Sequence, residues 1–118
     1  MTFQRKETGK SGESMACHFL AQKGMKILET NVRMTVGEID ILAQDADTIV
    51  IVEVKTRASG GYGIAEEKVD LAKQKKLRLL ARELSKQYPD SQLRIDVVAI
   101  NDFGGLPRIN YIYSAVEG

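Results

Sequence analysis

The chain has 118 residues, 43% of them hydrophobic and 28% charged, which is typical of one soluble globular domain. One cysteine excludes an internal disulfide, one cysteine with one histidine argues against a zinc site, and no apolar run is long enough to span a bilayer. The net charge of +1 provides no global attraction to nucleic acid. We therefore expect a single domain over residues 1–118, with a flexible segment at 1–10, a cytoplasmic location and no membrane partner.

The first half of the chain predicts a helix followed by three strands. A helix is expected from Ser11, because apolar residues follow it at helical spacing, and Gly24 suits the end of this helix. A short strand is expected over residues 26–34. Residues 37–43 and the segment that follows both alternate between apolar and polar side chains, and the polar sequence QDAD lies between them. This pattern predicts a β-hairpin.

The second half predicts a long helix between two strands and then a final strand. The sequence SGGYG at 59–63 indicates a flexible loop, and a helix is expected over residues 65–87. Residues 93–100 read as a buried strand and 108–116 as the last strand. The resulting order, α-β-β-β-α-β-β, predicts an α/β fold in which helices pack on a sheet.

The strand IVIVEVKTR, residues 49–57, begins with apolar residues but contains Glu53 and Lys55 before its end. Burying an unpaired charge is costly, so these two charges need an explanation. If the hairpin turn has two or four residues, position 38 pairs with 53 and position 40 with 51. Glu38, Asp40, Glu53 and Lys55 would then share one face of the sheet, whereas a three-residue turn would reverse this parity.

A further carboxylate is expected near this face. Glu13 precedes Ala16, Cys17 and Leu20 at the spacing of one helix face, so it lies on the apolar stripe of the first helix. A helix that packs this stripe on the sheet would point Glu13 inward. We therefore expect Glu13 to approach the same acidic cluster.

The cluster has the composition of a metal site. Several partly buried carboxylates repel one another unless a cation lies among them, and Mg²⁺ prefers hard oxygen ligands and binds substrate phosphates. Asp40, Glu53 and Glu13 are the candidate ligands, and the carbonyl of Val54 could add another oxygen. Lys55 could orient the attacking water or stabilise charge on a phosphate, which points to phosphodiester hydrolysis. The alternative is an ordinary ion pair of Glu53 and Lys55 at a strand end.

These residues match a known pattern. GEID at 37–40 followed by VEVK at 52–55 resembles the D-x(n)-E-x-K signature of the PD-(D/E)XK nuclease superfamily, although Ile39 stands where the superfamily name has proline. The GES start of the first helix, GEIDILA, VEVKTR, the lysine-rich second helix and RIDVVAI resemble the YraN-like family. This bacterial family is related to archaeal-type Holliday-junction resolvases, and the resemblance covers nearly the whole chain.

The resemblance implies a restriction-endonuclease-like αβββαβ core with a mixed central sheet flanked by helices. It also implies that Asp40 and Glu53 hold Mg²⁺ or Mn²⁺ and that Lys55 is the catalytic lysine. Glu13 would match a glutamate that resolvase-like members add from the first helix. Gln74 would match a polar residue on the second helix of some nucleases.

Other residues are candidate DNA contacts. Arg57 alternates onto the Lys55 face and could meet a phosphate, although a surface salt bridge is the alternative. Tyr62 could stack on an exposed base, or its segment could be a plain connecting loop. Lys75 belongs to KQKKLR at 73–78, which is either a solvated helix face or a phosphate-contacting patch.

The sequence thus predicts a Mg²⁺- or Mn²⁺-dependent endonuclease that acts on DNA, perhaps branched or single-stranded DNA, and that could form a homodimer. The alternative is a catalytically silent protein of the nuclease fold that binds DNA or a protein partner. Asp96 interrupts an apolar strand with no second acid beside it. We expect it to be a buried partner of a lysine or arginine.

Overall fold

The computed structural model describes residues 3–58, 69–103 and 106–116. The helices and strands follow the predicted order, and their bounds are α1 (Phe3–Gln22), β1 (Lys26–Met34), β2 (Gly37–Asp45), β3 (Thr48–Ala58), α2 (Leu71–Ser85), β4 (Gln92–Phe103) and β5 (Leu106–Val116). The predicted α/β class and αβββαβ core are confirmed. Neither of these helices is long and apolar enough to cross a lipid bilayer.

The five strands form one mixed sheet in which they lie side by side in chain order, from β1 to β5. Strands β1 to β3 form an antiparallel meander, and β4 and β5 are also antiparallel. The central pair, β3 and β4, is parallel. Parallel neighbours need a long crossover connection, and α2 lies within it.

The two helices pack on opposite faces of the sheet. Ala16 and Leu20 of α1 belong to a core cluster with Val50 and Val52 of β3. On the other face, α2 contributes three buried leucines to a cluster that includes Ile49 and Ile51 of β3, namely Leu77, Leu80 and Leu84. Because successive strand residues point to opposite faces, the odd-numbered residues of β3 face α2.

Helix α1 ends as the sequence predicts but begins earlier. Gly24 has a φ of 93°, and its N–H donates to the carbonyl of Ala21, while the N–H of Met25 donates to that of Leu20. These two hydrogen bonds form a Schellman motif, which a glycine in the left-handed region favours. The helix starts at Phe3 and not at Ser11. The segment between them contains no proline and several good helix formers, so it can continue the helix.

Helix α2 is shorter than the predicted 65–87. Its N-cap is Asp70, which has an extended backbone and whose carboxylate accepts the N–H of Lys73 at 2.9 Å. A capping residue of this kind starts a helix at the next position. Val69 therefore precedes the helix, and Ala72 is exposed in its first turn. Residues 65–68 of the predicted helix lie outside the described ranges.

Asp96 is fully buried and is the centre of a hydrogen-bond network. Arg94 Nε donates to Asp96 Oδ1 at 3.0 Å, the N–H of Ser114 donates to the same oxygen at 2.8 Å, and the Tyr111 hydroxyl donates to Oδ2. Arg94 Nη2 also donates to Asp45 Oδ2 at 3.0 Å. Burial, together with the Asp96 carboxylate, raises the pKa of Tyr111. The prediction of a buried aspartate paired with a basic residue is confirmed.

The N-cap of α2 can be tested by substitution. Replacing Asp70 with alanine removes the acceptor for the Lys73 N–H, and we expect it to lower the free energy of unfolding by about 0.5–2 kcal/mol in urea denaturation. Asp70→Asn keeps an acceptor of equal capping strength and should retain the wild-type stability. Equal stability of the alanine and asparagine variants would contradict the assignment of this cap.

The two aspartates bound to Arg94 provide a matched comparison of burial. We expect Asp96→Ala to cost about 3–5 kcal/mol of unfolding free energy, because it removes a fully buried carboxylate that accepts hydrogen bonds from Arg94, the Tyr111 hydroxyl and the Ser114 N–H. The side chain of Asp45 is 41% exposed. Asp45→Ala should therefore lower the unfolding free energy by less than about 1 kcal/mol. Chemical denaturation measures both values. Similar losses of unfolding free energy in the two variants would mean that burial does not determine how much each aspartate stabilises the fold.

Candidate active site

The β2–β3 hairpin determines which acidic residues meet. Asp45 pairs with Thr48, so the turn consists of Ala46 and Asp47, and the register continues to the Ile41–Val52 pair. One further step along this register places residue 40 opposite residue 53. The predicted pairs, 38 with 53 and 40 with 51, are therefore shifted by two residues, because part of QDAD belongs to the strands. The parity of the ladder is nevertheless as predicted.

The two strands separate at Asp40. The paired register stops at Ile41–Val52, and the N–H of Val54 donates to Asp40 Oδ2 at 2.8 Å. Ile39 packs in the α2 cluster but Ile41 packs in the α1 cluster, so the regular alternation of β2 is broken between them. We call this place, bounded by Asp40 and Val54, the strand opening. Asp40 is half-buried in it.

Glu53 lies beside the strand opening on the face that α2 covers. Its side chain is 4% exposed, with Lys73 Nζ 2.7 Å and Lys55 Nζ 3.8 Å from Oε2. Both contacts are ion pairs without hydrogen-bond geometry, and within the described parts of the chain Oε2 has no hydrogen-bond partner. The site therefore contains a buried carboxylate oxygen that is neutralised by charge alone.

Sequence reasoning missed Lys73. Lys73 precedes Leu77 by four residues and Leu80 by seven, which places it on the buried stripe of α2. A lysine at this position is directed toward the sheet and not toward solvent. The spacing of Lys73 from these leucines is present in the sequence. The neighbouring basic residues of KQKKLR, however, made Lys73 look like part of one solvent-exposed basic segment.

Asp40 lies in the electrostatic field of the same lysines. Burial raises the pKa of Asp40, while the hydrogen bond from Val54 and the charges of Lys73 and Lys55 act in the opposite direction. Two carboxylates and two ammonium groups thus surround the strand opening. The prediction of four charges on one face needs correction, since Glu53 and Lys55 share the α2 face but Asp40 lies between the strands. Glu38 is exposed.

Glu13 approaches from the opposite face. Helix α1 packs so closely on β3 that a Cβ on Gly12 would lie 2.7 Å from Thr56 Cγ2. The Glu13 carboxylate accepts a hydrogen bond from Asn31 Nδ2 at 3.0 Å, and burial and the charge of Asp40 raise the pKa of Glu13. Glu13 is therefore an electrostatic neighbour of Asp40, whereas Glu53 points to the other side of the sheet.

Three other residues were predicted to contact DNA, and they lie on different parts of the chain. Gln74 Nε2 donates to the carbonyl of Val69 at 3.3 Å, which holds the segment that leads into α2. Arg57 is half-buried near the end of β3 and pairs in register with Asn101 of β4. Tyr62 lies outside the described residues.

Lys75 is exposed and lies on a different side of α2 from Lys73. It lines a groove together with Arg78 and Arg82, above the start of β4 at Leu93 and Ile95. The basic residues of KQKKLR are therefore divided between two places. Lys73 contacts the candidate site, and Lys75 and Arg78 form part of a basic groove.

The donor set is compatible with a divalent cation. In residues 3–58, 69–103 and 106–116, no three His, Cys, Asp or Glu side chains converge closely enough to hold a metal ion. Mg²⁺, however, usually takes one or two carboxylates and completes its coordination with water and substrate phosphate. Asp40 and Glu53 supply two carboxylates, and the buried Glu53 Oε2 lacks a hydrogen bond. These two residues fit Mg²⁺ or Mn²⁺ in number and in chemistry.

This chain is similar to known proteins both in fold and in sequence. A solved complex of EndoMS with dsDNA contains a chain that resembles this one with a TM-score of 0.43 and 24% identity, over 60% of this chain and 26% of that chain. A likeness this distant supports no conclusion about function.

The sequence relatives are much closer. A UPF0102 protein of Thermodesulfovibrio yellowstonii is 50% identical over 83% of this chain and 88% of its own length. One from Geobacter metallireducens is 44% identical over 99% of this chain and 98% of its own length. The model of uncharacterised protein family UPF0102 matches residues 12–100, a range that includes Glu13, the hairpin and α2. This chain therefore belongs to the UPF0102 family.

Proposed function

We propose that this protein is a Mg²⁺- or Mn²⁺-dependent endonuclease that hydrolyses phosphodiester bonds in DNA. The observation behind the proposal is the strand opening, where Asp40 lies beside a buried Glu53 that has two lysines as its cationic neighbours. Carboxylates and lysines at one partly buried place are suited to binding a metal and a phosphate together. Branched or single-stranded DNA is the substrate class that the family resemblance favours.

The residues of the site have separate roles in this proposal. Asp40 and Glu53 would hold the metal, with the Val54 carbonyl as a possible further ligand, and the metal would supply Lewis-acid chemistry and an activated water. The Val54 N–H orients the Asp40 carboxylate by its hydrogen bond. Lys55 directs its ammonium toward the same region and stabilises the charge that develops on the phosphate. Glu13 acts from the α1 side through its charge.

DNA would be held by groups around the strand opening. Arg57 at the end of β3 and Lys75 in the basic groove offer cationic contacts for phosphates, and Gln74 and Tyr62 are candidates for polar and stacking contacts. Such contacts release counterions, so binding should weaken steeply with salt. A homodimer would present two such surfaces to one branched substrate. The proposed location is the cytoplasm, where DNA is accessible in bacteria.

One observation favours the alternative, a catalytically silent protein that binds DNA or a protein partner. Lys73 contacts Glu53 at 2.7 Å and so neutralises a carboxylate that the enzyme needs for its metal. A stable Lys73–Glu53 pair would leave a charged surface with no turnover. DNA binding without metal-dependent cleavage would support this alternative.

Cleavage assays test the enzyme directly. Purified protein with Mn²⁺ should cut at least one of three DNA substrates, namely a four-way junction, a single strand or a duplex. Asp40→Asn and Glu53→Gln keep the shape of each side chain but weaken metal binding, so each should lower the rate on the order of 10²-fold or more. Lys55→Met should have a similar effect because it removes the charge that faces the phosphate.

The matched control is Asp47→Asn, which removes a carboxylate from the exposed hairpin turn and should leave the rate unchanged. Cleavage that survives Asp40→Asn and Glu53→Gln would refute the assigned site. Absence of cleavage on all three substrates would refute the enzyme itself.

Thermal melting tests metal binding without any substrate. Because burial raises the pKa of Asp40, its ionised form destabilises the fold at neutral pH, and Asp40→Asn should melt at a higher temperature than wild type without metal. Saturating Mn²⁺ should raise the Tm of wild type by about 5 °C or more but leave the variant unchanged. The higher Tm of Asp40→Asn should disappear as the pH falls through the ordinary range of an aspartate pKa. Below this range the Asp40 carboxyl of wild type is protonated in both the folded and the unfolded protein. An equal Mn²⁺ response in both proteins would exclude Asp40 as a ligand.

A further inference from the structure

Glu53 already has a cation at contact distance. Lys73 Nζ lies 2.7 Å from Glu53 Oε2, whereas Lys55 Nζ lies 3.8 Å from the same oxygen. The closer lysine comes from the helix and not from the strand that holds the signature residues. The ion pair therefore connects α2 to the candidate site.

The two partners differ in their access to solvent. The Glu53 side chain is 4% exposed and is held in the interior of the sheet, but the Lys73 side chain is 29% exposed. Lysine has a long flexible stem and a strongly hydrated ammonium, so it can turn out to water at low cost. Glu53 cannot leave its position in β3. Exchange of the cation in contact with Glu53 Oε2 therefore requires movement of Lys73, the nearer of the two lysines.

The backbone of Lys73 is fixed at the start of α2, whereas its side chain is partly exposed. Its N–H donates to the Asp70 carboxylate in the N-cap of α2, and the helix is anchored by Leu77 one turn later. This anchoring keeps Lys73 on the side of α2 that faces the sheet, where its ammonium lies 2.7 Å from Glu53 Oε2. The local concentration of the lysine at the carboxylate is therefore high.

We propose that Lys73 is an internal counter-cation that neutralises Glu53 in the metal-free protein and that a divalent metal must displace it. This inference rests on the proposed function, since it requires Glu53 to be a metal ligand. An ammonium and a metal ion cannot both contact Glu53 Oε2 without strong repulsion between them. Lys73 thus stabilises the metal-free fold and weakens metal binding. It is a positioning residue for metal loading and not a catalytic residue.

Metal titration of three proteins tests this inference. Wild type, Lys73→Met and Lys86→Met are titrated with Mn²⁺ in the absence of DNA, with the free ion measured by electron paramagnetic resonance. Removing the competing ammonium should tighten Mn²⁺ binding on the order of tenfold. Lys86 is an exposed lysine at the other end of α2, so its variant should bind Mn²⁺ like wild type.

The outcomes separate this inference from the proposed function. Mn²⁺ binding of equal or lower affinity in Lys73→Met, with binding retained in wild type, overturns the displacement of Lys73 and leaves the nuclease proposal standing. Absence of Mn²⁺ binding in all three proteins overturns the metal-dependent function and the inference with it. A tenfold gain in Mn²⁺ affinity in both Lys73→Met and Lys86→Met would reflect the change in net charge alone and would also overturn the inference.

A second measurement uses the wild-type protein and so does not depend on the folding of Lys73→Met. The ammonium groups are observed by ¹⁵N nuclear magnetic resonance, and the Lys73 signal is assigned by its loss in Lys73→Arg. Saturating Mg²⁺ should shift this signal to the position of a hydrated lysine and accelerate its hydrogen exchange with water. A Lys73 signal that is unchanged at saturating Mg²⁺ would show that the ion pair persists.

Discussion

The buried carboxylate of Glu53 constrains the arrangement of the elements around it. A buried carboxylate that stays ionised needs a cation close by, and β3 itself supplies only Lys55 at 3.8 Å. The nearer cation comes from α2, which must therefore begin where Lys73 can reach the end of β3. The N-cap at Asp70 and the leucine stripe place the first turn of α2 there. The position of the helix, the crossover and the electrostatics of the site are thus linked through one ion pair.

The two buried acidic groups of the sheet differ in how completely they are paired. Asp96 receives hydrogen bonds from Arg94, Tyr111 and the backbone of Ser114, so its charge is fully neutralised by fixed donors. Glu53 has ion-pair neighbours, but its Oε2 accepts no hydrogen bond within the described residues. A network of fixed donors stabilises a fold, whereas a carboxylate paired with lysine side chains is held by groups that are partly exposed to solvent. This contrast distinguishes the structural acid from the candidate ligand.

The match to the UPF0102 family extends from residue 12 to residue 100 and so includes Glu13, the hairpin and α2. The strand opening is the central feature of the candidate site, since it frees the Asp40 carboxylate from regular pairing and holds it by the Val54 amide. Residues on both faces of the sheet can influence a group in this position, which explains why Glu13 of α1 and Lys73 of α2 both act on Asp40 electrostatically.

Local patterns in the sequence were sufficient for the order of the elements, the hairpin, the end of α1 at Gly24 and the burial of Asp96 with a basic partner. These features depend on alternation, helical spacing and turn residues, which act over a few neighbouring positions. The shift of the hairpin register, the break at Asp40, the late start of α2 and the contact of Lys73 with Glu53 were decided by the tertiary structure. Each of these depends on how elements distant in the chain pack against one another, and a pattern within one element contains no information on its distance from another.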